Sequence, residues 1–365
     1  LVITQVLQLA ASQGESWTLE HAWHASVLPF VLSLYTVQVG SMIHKNAKIY
    51  VAGHKGLVGS AVFRNLVDEG YANLVVRSHG DLDLKKAEDV DIFFRSERPE
   101  YVFLCAAKVG GILANSTFPA AFIYDNLLIQ TNVIHAAWQY SVKKLLFLGS
   151  SCIYPRDCPQ PIKEEYLLSG ILEETNEPYA VAKIAGIKMC QAYNRQYGTS
   201  FICAMPTNLY GPGDNFDLED SHVLPALIRK FHEGKSRGES RKASHRRPKP
   251  VKIWGTGDPR REFLHVDDLA EALCFLMHYY EKNEIINIGV GKDISIRELG
   301  NLIRKIVGYK GEVQFDASKP DGTPRKLLDV SRLNNLGWQS KIPLEEGISR
   351  TYQWYLEQDL GKTRS

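Results

Sequence analysis

Short apolar runs alternate with longer amphipathic stretches through the first two-thirds of the chain. Lys48–Ala52, Asn73–Val76, Tyr101–Ala107, Val142–Gly149 and Phe201–Met205 are mostly apolar at consecutive positions and lead into small, polar or turn-forming residues. That is the pattern of short strands buried on both faces. Helical stretches lie between them. Ser60–Glu69 follows a glycine loop, Pro119–Ser141 carries Phe122, Ile123, Leu127, Ile134 and Ala137 at helical spacing, and Pro178–Tyr197 opens with a proline suited to a first turn. Strands alternating with helices in this way predict a doubly wound α/β fold with a parallel sheet. After Pro212 the alternation is less regular, although Ser221–His232 reads as a helix with Ser221 as its cap. The Pro119–Ser141 helix offers either a dimer face or an internal packing face.

The first strand-to-helix turn carries the first chemistry. Gly53-His54-Lys55-Gly56-Leu57-Val58-Gly59 gives each glycine a separate task. Gly53 permits the sharp turn, Gly56 lets backbone amides approach a pyrophosphate, and Gly59 lets helix and strand pack closely. The phosphates then sit at a helix N-terminus. The spacing departs from Gly-x-Gly-x-x-Gly, so the position between strand and helix carries the reading. The next strand ends in Arg77 instead of the carboxylate that grips a ribose 2'-hydroxyl, which favours NADP over NAD.

Val142–Gly149 runs directly into Ser150-Ser151-Cys152, so hydroxyls and a thiol emerge at a strand's carboxyl end, where open α/β sheets build their sites. Tyr179 and Lys183 stand four apart at the start of the next helix and share a face. A lysine cation there favours the phenolate of a tyrosine, whose ordinary pKa is about 10, and makes Tyr179 a candidate proton donor to a carbonyl. Alone, the pair also reads as ordinary surface; the order of glycine loop, strand-end hydroxyls and helix gives it weight. Further on, Trp254 can stack and Arg261 can grip a diphosphate bidentately.

Composition narrows the classes. With 365 residues, 44% hydrophobic and 23% charged, the chain has length for one large or two ordinary domains. A net charge of +2 indicates no nucleic-acid footprint. The six cysteines lack paired metal spacing, so reduced cytoplasmic thiols are expected, with neither a metal nor a disulfide framework. Residues 1–41 do not continue the pattern. Their apolar run Val27–Tyr35 is too short to span a bilayer, and no membrane association is expected. The segment is expected to be an extension ahead of a natural start at Met42; an interfacial or docking segment is the competing reading. The basic run Lys235–Lys249 reads as an exposed loop, and no interleaved aromatics support a nucleic-acid arm.

Together these stretches resemble the extended short-chain dehydrogenase/reductase family from about Lys48 to Leu356. The motifs that carry the resemblance are Gly149-Ser-Ser-Cys-Ile-Tyr-Pro155, Asn176-Glu-Pro-Tyr-Ala-Val-Ala-Lys-Ile-Ala-Gly186, Met205-Pro-Thr-Asn-Leu-Tyr-Gly-Pro212, Arg261-Glu-Phe-Leu-His-Val-Asp-Asp268 and Lys319-Pro-Asp-Gly-Thr-Pro-Arg-Lys326. The resemblance implies a Rossmann-type doubly wound parallel sheet with a smaller C-terminal α/β substrate-binding domain. Residues 42–221 would form the NADP-binding domain and 222–365 mainly the substrate-binding domain, with part of 262–290 returning to the first. It also implies conversion of GDP-4-keto-6-deoxy-D-mannose to GDP-L-fucose, by inversion at C3 and C5 and NADPH-dependent reduction at C4, in a cytoplasmic homodimer. The helices Pro119–Ser141 and Pro178–Tyr197 are the candidates for its interface.

By the same resemblance, Ser150, Tyr179 and Lys183 match a reductive triad, and Cys152 and His222 an acid/base pair for epimerisation. Gly53, His54, Lys55, Gly56, Leu57, Val58, Gly59, Arg77, Lys183, Pro206, Thr207, Asn208, Leu209 and His222 would contact NADP(H). Lys230, Trp254, Arg261 and Asp321 would contact the GDP-sugar. The chemistry is coherent. Protons alpha to a ketone become removable when the forming enolate is hydrogen-bonded, and a thiol and an imidazole, with reference pKa values of about 8.5 and 6.5, bracket neutral pH. A dehydratase on the same fold places Thr-Asp-Glu where this chain has Ser150-Ser151-Cys152, a 4-epimerase retains its cofactor, and a non-catalytic NADP-binding scaffold needs no such combination.

Overall fold

Strands buried on both faces need helices on both sides of the sheet, and the computed structural model places them there. It describes residues 43–218, 220–239, 250–319 and 321–362. The expected extension at 1–41 and residues 240–249 of the basic run lie outside the described residues. From Lys45 onward the described residues form one compact unit.

In chain order the first strands and helices are β1 (Ile49–Ala52), α1 (Leu57–Asp68), β2 (Leu74–Val75), α2 (Ala87–Glu97), β3 (Tyr101–Leu104), α3 (Ile112–Thr117), α4 (Pro119–Gln139), β4 (Lys144–Leu148), α5 (Glu177–Tyr197) and β5 (Phe201–Pro206). They are followed by β6 (Asn208–Tyr210), α6 (Val223–Glu239), β7 (Val251–Trp254), β8 (Arg260–His265), α7 (Val266–Tyr279) and β9 (Ile286–Ile288). β10 (Asp293–Ser295), α8 (Ile296–Val307), β11 (Val313–Asp316), β12 (Arg325–Lys326), α9 (Ser331–Asn335) and α10 (Leu344–Lys362) complete the described chain. A six-stranded parallel sheet runs β2-β1-β3-β4-β5-β9. Its strand order reverses between β1 and β3, the crevice where such sheets bind ligands. Every residue of β1, β4 and β5 is buried. The doubly wound α/β class expected from the alternation is the observed one.

A smaller layer lies at the carboxyl edge. β10, β8 and β12 form one ladder with β6 paired to β8, and β7 pairs with β11. Tyr210, Leu227, Phe231, Ile253, Leu299 and Ile303 belong to a second hydrophobic cluster, distinct from the one around Phe94, Phe147 and Met205. The chain then returns to the large sheet through β9, which pairs with β5. Glu262 joins the two layers. It is fully buried, and its carboxylate accepts the amides of Val290 at 2.6 Å, Gly291 at 2.7 Å and Leu328 at 3.0 Å.

Several boundaries differ from the expectations. α1 starts at Leu57, earlier than Ser60, because Gly56 serves as its N-cap and Gly59 lies inside the helix. β3 ends at Leu104 because the chain beyond it passes close under Gly53, whose missing Cβ leaves room for Ala106. α6 starts at Val223, and the Ser221 hydroxyl, expected to cap it, has no hydrogen-bond partner among the described residues. The same helix runs past His232 to Glu239, so residues 235–239 of the basic run are helical where a loop was expected. Gly234 does not break it, because the Tyr309 ring packs 2.9 Å from where its Cβ would stand.

Candidate active site

The end of β4 is built so that reactive groups leave the sheet at once. A side chain on Gly149 would meet Met205 Sδ at 2.3 Å, so glycine alone fits the exit. Ser150 then caps a short turn over Ser151–Ile153, its Oγ accepting the Cys152 amide at 3.3 Å, and this sets the thiol half-buried beside the strand end. α5 starts with Pro178 in its first turn and carries Tyr179 and Lys183 toward the same place. The Ser150 hydroxyl acts on the Tyr179 phenol and favours its ionised form.

The electrostatics differ from the simple lysine–tyrosine pair. Burial pushes the Tyr179 phenol well above its ordinary range, with nearby Cys152 adding to the rise and Ser150 opposing it. Burial also pushes Lys183 down to about 8. Its ammonium donates to the Leu148 carbonyl at 2.8 Å and lies 5.8 Å from the Tyr179 ring centre. Desolvation is the largest influence on Tyr179, and Lys183 is not among the groups that shift it. A protonated phenol is the form a proton donor requires.

His222 lines the same cavity and directly precedes α6. Burial lowers its pKa, and the Lys326 ammonium lowers it further. Lys326 Nζ also lies 4.0 Å from Cys152 Sγ, so one cation faces both members of the expected acid/base pair. The sequence reading did not select Lys326, although it closes the Lys319–Lys326 motif. No spacing rule links it to Cys152, 174 positions away.

These groups line one cavity of ≈ 330 Å³. Ser150, Cys152, Tyr179, His222, Asn208, Leu209, Lys230, Trp254, Arg261 and Asp321 all face it. Lys183 lies buried beneath it, while Pro206 and Thr207 stay buried in the sheet edge. Lys230 Nζ is 5.4 Å from the Trp254 ring centre and donates to the Lys252 carbonyl at 3.1 Å; burial lowers its pKa. Arg261 is likewise lowered by burial, with Asp321 acting against the shift. The Asp321 carboxylate accepts the Thr256 amide at 2.7 Å and its hydroxyl at 2.9 Å. It thereby fastens the turn beyond Trp254.

The residues present fit a dinucleotide. Gly53 has φ +85°, and a Cβ there would stand 2.8 Å from Ala106 N; one on Gly59 would stand 2.2 Å from the Gly53 carbonyl oxygen. Gly56 caps α1 without a side-chain hydrogen bond, leaving the first amides of the helix directed at the crevice. Arg77 is engaged within the fold, its guanidinium paired with the Glu97 carboxylate and donating to the Val76 carbonyl at 2.8 Å. The His54 Nδ1 atom is buried without a partner among the described residues. No group of three or more His, Cys, Asp or Glu among those residues is arranged to hold a metal ion.

A crevice for a dinucleotide beside a serine, tyrosine and lysine defines a class: the extended short-chain dehydrogenases/reductases, as the sequence motifs anticipated. The chain belongs to the NAD dependent epimerase/dehydratase family, whose model matches residues 49–289. It is similar to GDP-L-fucose synthase 1 of Arabidopsis thaliana, with 58% identity over 320 residues, covering 88% of this chain and 96% of that one. It is 55% identical over 319 residues to the GDP-L-fucose synthase of Escherichia coli, covering 85% and 97%. Among solved structures it is similar to a GDP-L-fucose synthetase from Naegleria fowleri bound to NADP, at a TM-score of 0.79 and 30% identity over 87% of this chain and 97% of that one.

Proposed function

We propose that this chain converts GDP-4-keto-6-deoxy-D-mannose to GDP-L-fucose by inversion at C3 and C5 and NADPH-dependent reduction at C4. Its relatives are named for that product. The observation that carries the reading is the gathering of two sets of groups in one cavity: Ser150 with Tyr179, and Cys152 with His222. A plain reductase needs only the first set.

In this reading Tyr179 and Ser150 hydrogen-bond the C4 oxygen and stabilise the negative charge that develops when an adjacent carbon loses its proton. Cys152 and His222 take and return protons from opposite faces of the sugar. The low basicity of His222 keeps its imidazole neutral and ready to accept. NADPH, when bound, supplies the hydride for C4, and Tyr179 delivers its proton to the oxygen. Lys183 supports that transfer from below through its bond to Leu148. The N-terminal end of α1, with residues 53–59, holds the pyrophosphate. Arg77 would take the 2'-phosphate in competition with Glu97, and residues 206–209 would flank the nicotinamide. Lys230 and Arg261, desolvated cations, neutralise the GDP diphosphate, Trp254 stacks on the nucleotide, and Asp321 holds the turn that presents it.

We further propose that the boundary between NADP-binding and substrate-binding regions lies near residue 221, with part of the 262–290 segment belonging to the former. The protein acts in the cytoplasm as a homodimer. Among the described residues no helix is long and apolar enough to cross a membrane. The test is stoichiometry: one NADPH oxidised per GDP-L-fucose formed, measured by absorbance and chromatography. A 4-epimerase would give product without net NADPH loss, and a scaffold would give neither.

A further inference from the structure

A buried asparagine that the proposed chemistry does not use stands behind the His222 segment. Asn115 is 6% exposed, lies on α3 and contributes to the cavity wall. Its Nδ2 donates to the Gly110 carbonyl at 2.9 Å and to the Gly111 carbonyl at 3.0 Å. Its Oδ1 is buried without a partner among the described residues. Held in this way, the Gly111 amide donates to the Asp220 carbonyl at 2.8 Å, two residues before His222.

The fit at that junction is close. A Cβ on Gly111 would stand 3.0 Å from the Ser221 carbonyl oxygen and 3.2 Å from that of Asp220. The other end of the same loop is fastened by Asn126, which is 2% exposed. Asn126 accepts the Lys108 amide at 3.0 Å and donates to the Lys108 carbonyl at 3.0 Å. Two asparagines therefore fix the backbone from Lys108 to Gly111. Its one hydrogen bond across to the 220–222 segment, among those described, reaches the strand of chain that delivers His222. By contrast Ser150, Cys152, Tyr179 and Lys183 are fixed from β4 and α5 and share none of these hydrogen bonds.

We infer that Asn115 is a positioning residue for His222, acting through Gly110 and Gly111, and that it serves the epimerisation half of the reaction and not the reductive half. The inference rests on the acid/base role proposed for His222. Loss of the side-chain amide frees the Gly110 carbonyl, leaves the Gly111 carbonyl with only the Asn115 backbone amide at 3.1 Å, and loosens the Gly111 amide bonded to the Asp220 carbonyl. A misplacement of about 1 Å can cost a catalytic step roughly 10²-fold, whereas the groups around C4 keep their anchors.

The test compares the unaltered protein with Asn115→Leu and Gly111→Ala. The first removes the clamp. The second keeps it but pushes the Asp220 and Ser221 carbonyls away. Three quantities are measured: wash-in of solvent deuterium at C3 and C5 with NADP+ present, hydride transfer from NADPH to ketone already inverted by the unaltered protein, and NADPH affinity by fluorescence. Both variants are expected to lose at least tenfold in wash-in while hydride transfer and NADPH affinity change less than threefold. Wash-in retained by both variants, or all three quantities falling together, overturns the inference while leaving the proposed function standing. Absence of wash-in in the unaltered protein instead overturns the acid/base role of His222, and the inference with it.

Discussion

Cys152 and His222 face the same cavity but sit in different electrostatic surroundings, and Lys326 connects them. Replacing Cys152 with serine keeps the size but removes the more acidic group. Solvent proton exchange into the sugar is expected to fall roughly 10²-fold or more, with NADPH affinity unchanged, as read by NMR and fluorescence. The pH dependence follows from His222, whose proton is resisted by burial and by the Lys326 charge. Its folded pKa lies below the unfolded one, so the associated stability is fully present above about pH 6.5 and is lost as pH falls through the folded value. The acid limb of exchange therefore lies below that of an ordinary histidine. Lys326→Met removes the opposing cation and is expected to move that limb upward. An exchange profile left in place by this variant would show that Lys326 does not act on His222. Ser150, Cys152, Tyr179 and Lys183 were legible because each lies within a few residues of a strand end or helix start. Lys326, Asn115 and the engagement of Arg77 by Glu97 were not, since each depends on partners that tertiary contacts alone bring together.

Elements fix what single residues cannot. β8 carries Arg261 toward the cavity and, with the next residue, Glu262, back into the interior. Burial raises the Glu262 pKa, and the three backbone amides it accepts oppose that rise. Charge-assisted hydrogen bonds are worth about 1.5–3 kcal/mol each. Glu262→Ala is accordingly expected to lower stability by at least about 2 kcal/mol, seen as a fall in thermal midpoint, and to weaken substrate binding more than NADPH binding. The alternation of buried strands and helices was readable because β1, β3, β4 and β5 are mostly apolar at consecutive positions. The short strands β6, β10 and β12 were not readable, since two or three half-buried residues carry no period. The extension of α6 to Glu239 was missed because polar residues and a glycine suggested a loop, although none of them prevents helix.

At the scale of the whole molecule, α4 and α5 pack together and present Tyr124, 63% exposed, and Val181, 39% exposed. These apolar groups support the interface proposed for the homodimer. Val181→Glu is expected to shift the sedimenting mass from twice 41.1 kDa toward 41.1 kDa, and an unchanged mass would place the interface elsewhere or show none. The family's fold and the local motifs brought the nucleotide crevice and the reductive groups within reach of the sequence, whereas the shape of the shared cavity needed the folded chain.

The central claim is that one cavity performs both inversion and reduction. Its most direct test is turnover of GDP-4-keto-6-deoxy-D-mannose with NADPH in deuterated water, followed by NMR of the product. The account predicts GDP-L-fucose carrying deuterium at C3 and C5. A reduced sugar without deuterium at those carbons would contradict it.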